Sequence, residues 1–312
     1  MVTIARHSDP APVGHRPQPA GSRPRRRRHG SVRRQQRLTG LLFVAPFVIV
    51  ALAFLVAPLA YAFQSSLYND SLALNSHFVG LDNYKTAFTD PEFLHGVVRV
   101  VTFGAVQVPI MLVIALFAAL ILDKFTSRFA KAFRLAIFLP YAVPGVVGAL
   151  MWGFLYSKDF GPTGIDFLGP DLILASIGNI VFWQWTGYNM IILYAALQGV
   201  PRECYEAAFV DGATELQIAV RIKVPMIRAA LIMACVFSII GTMQLFAEPS
   251  VMKAAAPSAI SLSYTPNMYA QKLAFHDSLF HYSATISFAL GAMVFVVSYL
   301  FLFINRRGSG LS

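Results

Sequence analysis

Six stretches of this chain contain no Asp, Glu, Lys or Arg: residues 39–63, 100–122, 135–157, 173–197, 229–247 and 282–304. Each approaches the roughly 20 apolar residues that a helix needs to cross a bilayer's hydrocarbon core. The pattern predicts an all-α membrane protein with six transmembrane helices. Pro46, Pro58, Pro109, Pro140 and Pro144 fall inside these stretches. Membrane helices tolerate proline where neighbours satisfy the freed backbone groups, so kinks are expected there.

Composition agrees, with 56% hydrophobic and only 13% charged residues and a mean hydropathy of +0.60, well outside the soluble range. Charge adds a direction. Of the 25 Lys and Arg, 20 lie in the N-terminal tail, in 123–134, in 198–228 or at the C-terminus, leaving Lys85, Arg99, Lys158, Lys253 and Lys272 for the other side. The positive-inside bias makes the richer side cytoplasmic, so both termini are expected in the cytoplasm.

The pI of 9.8 raises the question of nucleic acid. Residues 1–38 carry ten Arg against Asp9, whereas the whole chain has a net charge of +10. Basicity therefore belongs to the tail, and no nucleic-acid partner is expected. Rich in Pro and Arg, the tail has too little apolar content to fold alone, and it is suited to fixing topology and resting on anionic lipid headgroups. An export signal is the rival reading, from Arg33-Arg34 and the Ala60-Tyr61-Ala62 site. The first apolar stretch is too long for a signal's 7 to 15 residue core, so it is read as an anchor. Cys204 and Cys235 fall in different compartments of this topology, and His276 and His281 lack a supporting cluster. No disulfide, metal or cofactor is expected.

The polar island from Glu206 to Pro225, between two apolar stretches, carries the most information. Residues 202–210 read as a short helix with Tyr205, Ala208 and Phe209 on one side and Glu203 and Glu206 on another. Asp211-Gly212 breaks it, and Asp211 or Thr214 is placed to cap a second helix over 214–223 that Pro225 stops. Ala207, Ala208, Gly212 and Ala213 leave room for close approach, so the island reads as a helix-turn-helix knob for a partner's groove.

Glu206-Ala207-Ala208, two spacers, Asp211-Gly212-Ala213, then Ile222 and Pro225 resemble the EAA loop of permease subunits of ATP-binding-cassette importers. Residues 78–84 and 90–93, the Leu139-Pro140-Tyr141-Ala142-Val143-Pro144 run and residues 269–275 are similar to the sugar-importing, maltose-type branch. The resemblance covers about residues 38–307. Ala219, Ala229 and the missing Gly-Gly-Pro near Glu248-Pro249 depart from the family pattern. It implies a type I importer permease fold, divided into a tail (1–38), a first helix with external segment (39–95), a core (96–307) holding a cytoplasmic coupling loop (198–228), and a short tail (308–312). It further implies a second homologous permease, a cytoplasmic ATPase dimer and an extracytoplasmic solute-binding protein as partners. The loop would dock in a cleft of the ATPase, with Glu206 making the polar contact and Gly212 permitting the turn. The chain has no GxxxxGK[ST] phosphate loop, so ATP would be bound and hydrolysed by the partner.

Polar and aromatic side chains inside the spans indicate a path. The fourth span contains Trp183, Gln184, Trp185, Tyr188 and Asn189, and the fifth Ser238, Thr242 and Gln244; polar groups this deep face a bundle interior. Trp183 and Tyr188 are about 140° apart round a helix, so both border one cavity only if it is broad. A sugar needs ring faces to stack on and neutral hydrogen-bonding groups around its hydroxyls. Trp183, Tyr188, Asn189, Ser238, Thr242 and Gln244 provide both, and the resemblance implies a sugar site lined by the helices flanking the loop, with Trp183, Tyr188, Ser238 and Thr242 at comparable distances from Glu206. Aromatic belts and helix contacts are the competing structural roles. Acid-free spans argue against an ion-coupled secondary transporter. A permease for a non-sugar solute is the alternative, with a cation calling for acidic groups in the path.

Overall fold

The computed structural model describes residues 29–70, 76–124, 128–162 and 164–306, in two units, Met1–Ala57 and Pro58–Ser312. The first consists, among its described residues, of α1 (His29–Ala51) and a π turn (Leu52–Val56). Its large side chains are turned outward, Phe43 at 83% and Phe47 at 74% exposure, as suits a helix surrounded by lipid. Residues 29–38 are helical and not part of an unfolded tail. After Pro24 the sequence offers Arg and Gln, good helix formers, and extending an existing helix avoids the cost of nucleation. Residues 1–28 and 307–312 lie outside the described residues.

From Pro58 the second unit contains α2 (Ala57–Ser66), α3 (Asp82–Ala87), α4 (Pro91–Lys124), α5 (Arg128–Ala142), α6 (Gly145–Leu155), α7 (Ile173–Gln198), α8 (Arg202–Val210), α9 (Glu215–Ile218), α10 (Val224–Met226), α11 (Arg228–Met243), α12 (Ala247–Met252), α13 (Pro266–Phe275) and α14 (Phe280–Arg306). Four described runs are long and apolar enough to cross a membrane: Thr39–Ser66, Pro91–Lys124, Arg228–Met252 and Phe280–Asn305. α5 and α6 together make a fifth if they form one span. α7 has the length, about 39 Å for its 26 residues, but Asn179, Gln184 and Asn189 dilute its apolar character. The helical run that contains the apolar stretch 229–247 continues to Met252 and takes in Glu248.

Proline has unequal effects. α4 passes through Pro109 as one helix, whereas the expected third span breaks by 94° between Ala142 and Gly145. Pro144 removes a donor and forces Val143 out of the helical region, and Pro140 four residues earlier leaves that turn doubly weakened. Gln184, 5% exposed on α7, donates to the Val143 carbonyl at 3.4 Å. One carbonyl freed by the break is thus satisfied inside the bundle.

α7 is the central helix, packed along α4 and against α5 and α11. Ala115 and Ala119 of α4 and Met190, Leu193 and Leu197 of α7 build one apolar cluster with Ala234 of α11. A larger cluster joins α4 and α7 to α6 and α12–α14 around Phe93, Ile177, Met252 and Ile286. Close approach depends on small residues. At Gly187 a Cβ would lie inside the van der Waals envelope of the Ile137 carbonyl oxygen.

At the end of the bundle away from α8, carboxylates clasp the helices. Asp70 accepts from the His281 and Tyr282 amides at 2.9 and 2.7 Å, capping α14. Asp90 accepts from the Tyr269 and Tyr282 hydroxyls at 2.6 and 2.8 Å and from the Glu92 amide at 2.9 Å. Burial raises the Asp90 carboxyl, but these donors outweigh it and hold it below the usual carboxylate range. Arg99, inside α4, donates to the Tyr264 carbonyl at 2.6 Å and lies 4.1 Å over its ring.

Gly187→Ala should force α5 off α7 and lower the thermal inactivation midpoint of the detergent-solubilised chain by several degrees, about 1–3 kcal/mol of overpacking. Gly291→Ala, where an added Cβ meets nothing within 4 Å, should leave the midpoint unchanged.

Candidate functional site

Two features stand out: the loop between α7 and α11, and a cavity between those same two helices. Pro201, extended at φ −58° and ψ 132°, turns the chain into α8. α8 ends on Asp211, after which Gly212 adopts φ +83°, a left-handed conformation that costs about 1–2 kcal/mol for a residue with a Cβ. The Gly212 amide then reaches the Phe209 carbonyl at 3.0 Å and the Ala213 amide the Ala208 carbonyl at 2.9 Å, the two bonds of a Schellman closure. Thr214 opens α9 with a capping box, its hydroxyl accepting from the Gln217 amide and the Gln217 side chain accepting from the Thr214 amide at 2.8 Å. Both reversals are fixed by local bonds, which makes the loop a stiff knob.

One expectation fails here. The second helix is not a single run that Pro225 stops. After Ile218 the chain forms a π turn, Ala219–Lys223, and passes through Pro225 in α10 before a break at Ile227 leads to α11. A π turn spaces its bonds five residues apart, so the proline's missing donor and bulk are accommodated.

The knob's outer surface is open. Phe209, Val210 and Leu216 are 65%, 85% and 74% exposed, and Glu206 makes no hydrogen bond or ion pair among the described residues. Ala207, Asp211 and Gly212 are exposed, Ala208, Ala213 and Ile222 half-buried, and Pro225 exposed. The inner surface is tied down by charge. Lys223 meets Asp123 at 2.6 Å and sits 4.5 Å over the Tyr205 ring. Gln198 donates to the other Asp123 oxygen at 2.7 Å. Lys124 pairs with Glu215 at 2.7 Å, and this bond holds Glu215 below the usual carboxylate range. Asp123, Tyr205, Glu206, Glu215 and Lys223 face a cavity of about 680 Å³.

The second cavity, about 370 Å³, is walled by Met111, Trp185, Tyr188, Asn189, Phe237, Ser238, Thr242, Gln244, Phe246 and Glu248 among others. Tyr188 is held between Tyr141, stacked at 4.8 Å, and Trp185, edge-on at 5.8 Å. Asn189, 2% exposed, donates to the Trp185 carbonyl at 3.1 Å, leaving its oxygen to accept. The hydroxyls of Ser238 and Thr242 make no hydrogen bond among the described residues. The wall thus offers aromatic faces, neutral polar groups and one carboxylate. Five of the six sequence-predicted path residues meet here. Trp183 does not, and instead packs edge-on against Trp152 at 5.8 Å.

The description "binding-protein-dependent transport system inner membrane component" names a family whose model matches residues 111–307, more than half the chain. The chain belongs to this family. The permease is similar to the lactose transport system permease protein LacF of Rhizobium radiobacter, 31% identical over 89% of this chain and 97% of the relative. It is also similar to the arabinooligosaccharides transport system permease protein AraP of Bacillus subtilis (strain 168), 29% identical over 86% of this chain and 89% of the relative. Its fold matches a chain of a bacterial alginate ABC transporter solved with an alginate pentasaccharide-bound periplasmic protein. The TM-score is 0.76 at 20% identity, over 91% of this chain and 99% of that one. The permease thus has the type I ABC importer permease fold and is a multi-pass inner-membrane subunit, not itself an enzyme.

Met111, Phe246 and Glu248 in the permease's cavity were not expected from the sequence, and Trp185, noted in the fourth span, was not among the expected path residues. Trp185 was visible as an aromatic three residues before Tyr188, hence on the same face. Glu248 was legible only as the first acid after an apolar stretch, and helix ends cannot be placed that closely from pattern alone. Gln184 shares a helix with the lining residues but serves the α5–α6 break.

In the permease, Gly212→Val should open the Schellman closure and speed hydrogen exchange across α8 by about 5- to 30-fold, matching about 1–2 kcal/mol of strain. Gly212→Asn should fall between the two, because Asn tolerates the left-handed region.

Proposed function

We propose that the permease is the membrane subunit of an ATP-driven importer and forms part of the translocation path for a sugar, a disaccharide or short oligosaccharide. The observation that carries this reading is that α7 and α11, which enter and leave the stiff exposed loop, are the helices that wall the cavity. Displacing the loop therefore moves the cavity's walls. The energy comes from an ATPase dimer that receives Glu206 and the exposed Phe209, Val210 and Leu216. A second homologous permease completes the path, and an extracytoplasmic binding protein delivers the solute. The chain crosses the membrane six times with both termini in the cytoplasm, α5–α6 and α7 included, which keeps the loop on the cation-rich side.

The sugar reading rests on the wall's chemistry. Tyr188 and Trp185 present apolar ring faces, Asn189, Ser238, Thr242 and Gln244 present neutral partners, and a volume of about 370 Å³ lies in the range of small-solute sites. The names of LacF and AraP, and the alginate carried by the structural neighbour's binding protein, support a carbohydrate. Glu248 favours a second reading, since a carboxylate in the wall suits a cationic solute as well as a pair of sugar hydroxyls.

Purification with the neighbouring gene products should yield a second permease and an ATPase. In that complex Glu206→Ala should insert normally but abolish ATP hydrolysis stimulated by the binding protein; undiminished hydrolysis would remove Glu206 from the docking contact. Tyr188→Ala should cut uptake at least about tenfold, a loss of about 1.4 kcal/mol or more in stacking, and uptake equal to wild type would remove Tyr188 from the path. Competition by lactose or maltose but not spermidine, with partial activity in Glu248→Gln, is the outcome expected for a sugar. Competition by spermidine alone, with no activity in Glu248→Gln, would establish the cationic reading.

A further inference from the structure

α4 is not continuous with the loop, yet its last two residues both hold it. Asp123 is the convergence point. One oxygen takes Lys223 at 2.6 Å and the other takes the Gln198 amide, from the final residue of α7, at 2.7 Å. Lys223 in turn lies against the Tyr205 ring of α8. Four segments, namely α4, the end of α7, α8 and the π turn, therefore meet at one ion pair. Its side chains are only 7% exposed for Asp123 and 11% for Lys223. The Lys124–Glu215 pair beside it is 46% and 63% exposed, where water and salt weaken it.

The π turn has a part in this. It lets the helical chain run past Pro225 while Lys223 is directed inward, the one buried residue of its turn. A buried pair of this kind is a poor device for stability alone, because desolvation offsets much of the attraction. What it provides is direction, since its bonds hold only in one relative placement of the segments. Met111, twelve residues before Asp123 and about 18 Å up the same helix, is part of the cavity wall.

Building on the coupling role proposed above for the loop, we propose that the Asp123–Lys223 pair is the joint that passes displacement of the loop to α4, so that the cavity's α4 wall moves with α7 and α11. Asp123 and Lys223 are then positioning residues for transport. Neither lines the solute cavity, and both side chains are largely buried, whereas Glu206, Phe209 and Val210, which border with them the cavity beneath the knob, are exposed.

The test uses the assembled complex of both permeases and the ATPase in nanodiscs, with Ser238→Cys as a cavity reporter in a Cys204→Ser, Cys235→Ser background. N-ethylmaleimide labelling is measured without nucleotide and after trapping with ATP and vanadate. In the reporter parent the labelling rate should change by about fivefold or more, within the range of coupling energies between linked sites. Asp123→Asn and Lys223→Met should keep the ATPase bound and ATP hydrolysis within about threefold of the parent, yet shrink the labelling response to less than about twofold. The exchange Asp123→Lys with Lys223→Asp should recover it. If Lys223→Met fails to assemble, Asp123→Asn, which keeps the side chain's shape, and the exchange decide the matter. A full labelling response in the neutral variants would overturn the joint. So would loss of hydrolysis in parallel with the response, or an exchange that assembles without recovery. Failure of the underlying reading looks different: the reporter parent itself would show no nucleotide-dependent labelling, and Glu206→Ala would change nothing.

Discussion

Hydrocarbon cannot hydrogen-bond, and α7 is where this constraint presses hardest. The helix carries Asn179, Gln184, Thr186 and Asn189 through the bundle, and each is answered within it. Asn179 donates to the Tyr156 hydroxyl at 2.7 Å, Gln184 to the Val143 carbonyl, Thr186 to its own helix at Phe182 and Asn189 to Trp185. α7 can do this because α4, α5 and α11 wrap it. A polar helix in lipid requires apolar neighbours on most sides, and the neighbours' need to cover it sets the architecture of the unit.

The same constraint explains the bend and the cavity. A 94° break between α5 and α6 would strand backbone carbonyls in lipid, and Gln184 satisfies one of them from inside. Tyr141, just before the break, stacks on Tyr188, so the bend also sets an aromatic wall of the cavity. Around Asn189 the helices leave room, and the polar groups that remain face that room and not hydrocarbon. Helix packing and the cavity wall thus draw on one set of residues. At the end of α4 near the loop, Asp123 and Lys223 are only 7% and 11% exposed, held from water by the packing of four segments.

The loop was the most legible part of the chain because its geometry is local. Gly212 at a left-handed φ, the Schellman closure and the Thr214 capping box each depend on residues within five positions of one another, and sequence spacing carries that information. The π turn was not legible. It arises from accommodating Pro225 while burying Lys223 against Asp123, a partner 100 residues away. Trp183 and Trp185 show the same limit within one helix. Both are aromatic and two residues apart, and only the neighbouring helices decide that one packs on Trp152 while the other faces the cavity.

The sequence by itself determined the membrane class, the acid-poor stretches, the cation-rich segments and the reversal at Gly212 and Thr214, because hydropathy, charge and turn chemistry act over short distances. Only the tertiary structure decided that the third apolar stretch bends by 94°, that Glu248 reaches the cavity wall, and that Asp123 gathers α4, α7, α8 and the π turn. These outcomes rest on contacts between residues far apart in the chain. Their energies depend on which helix faces cover which polar groups, and no local pattern encodes that.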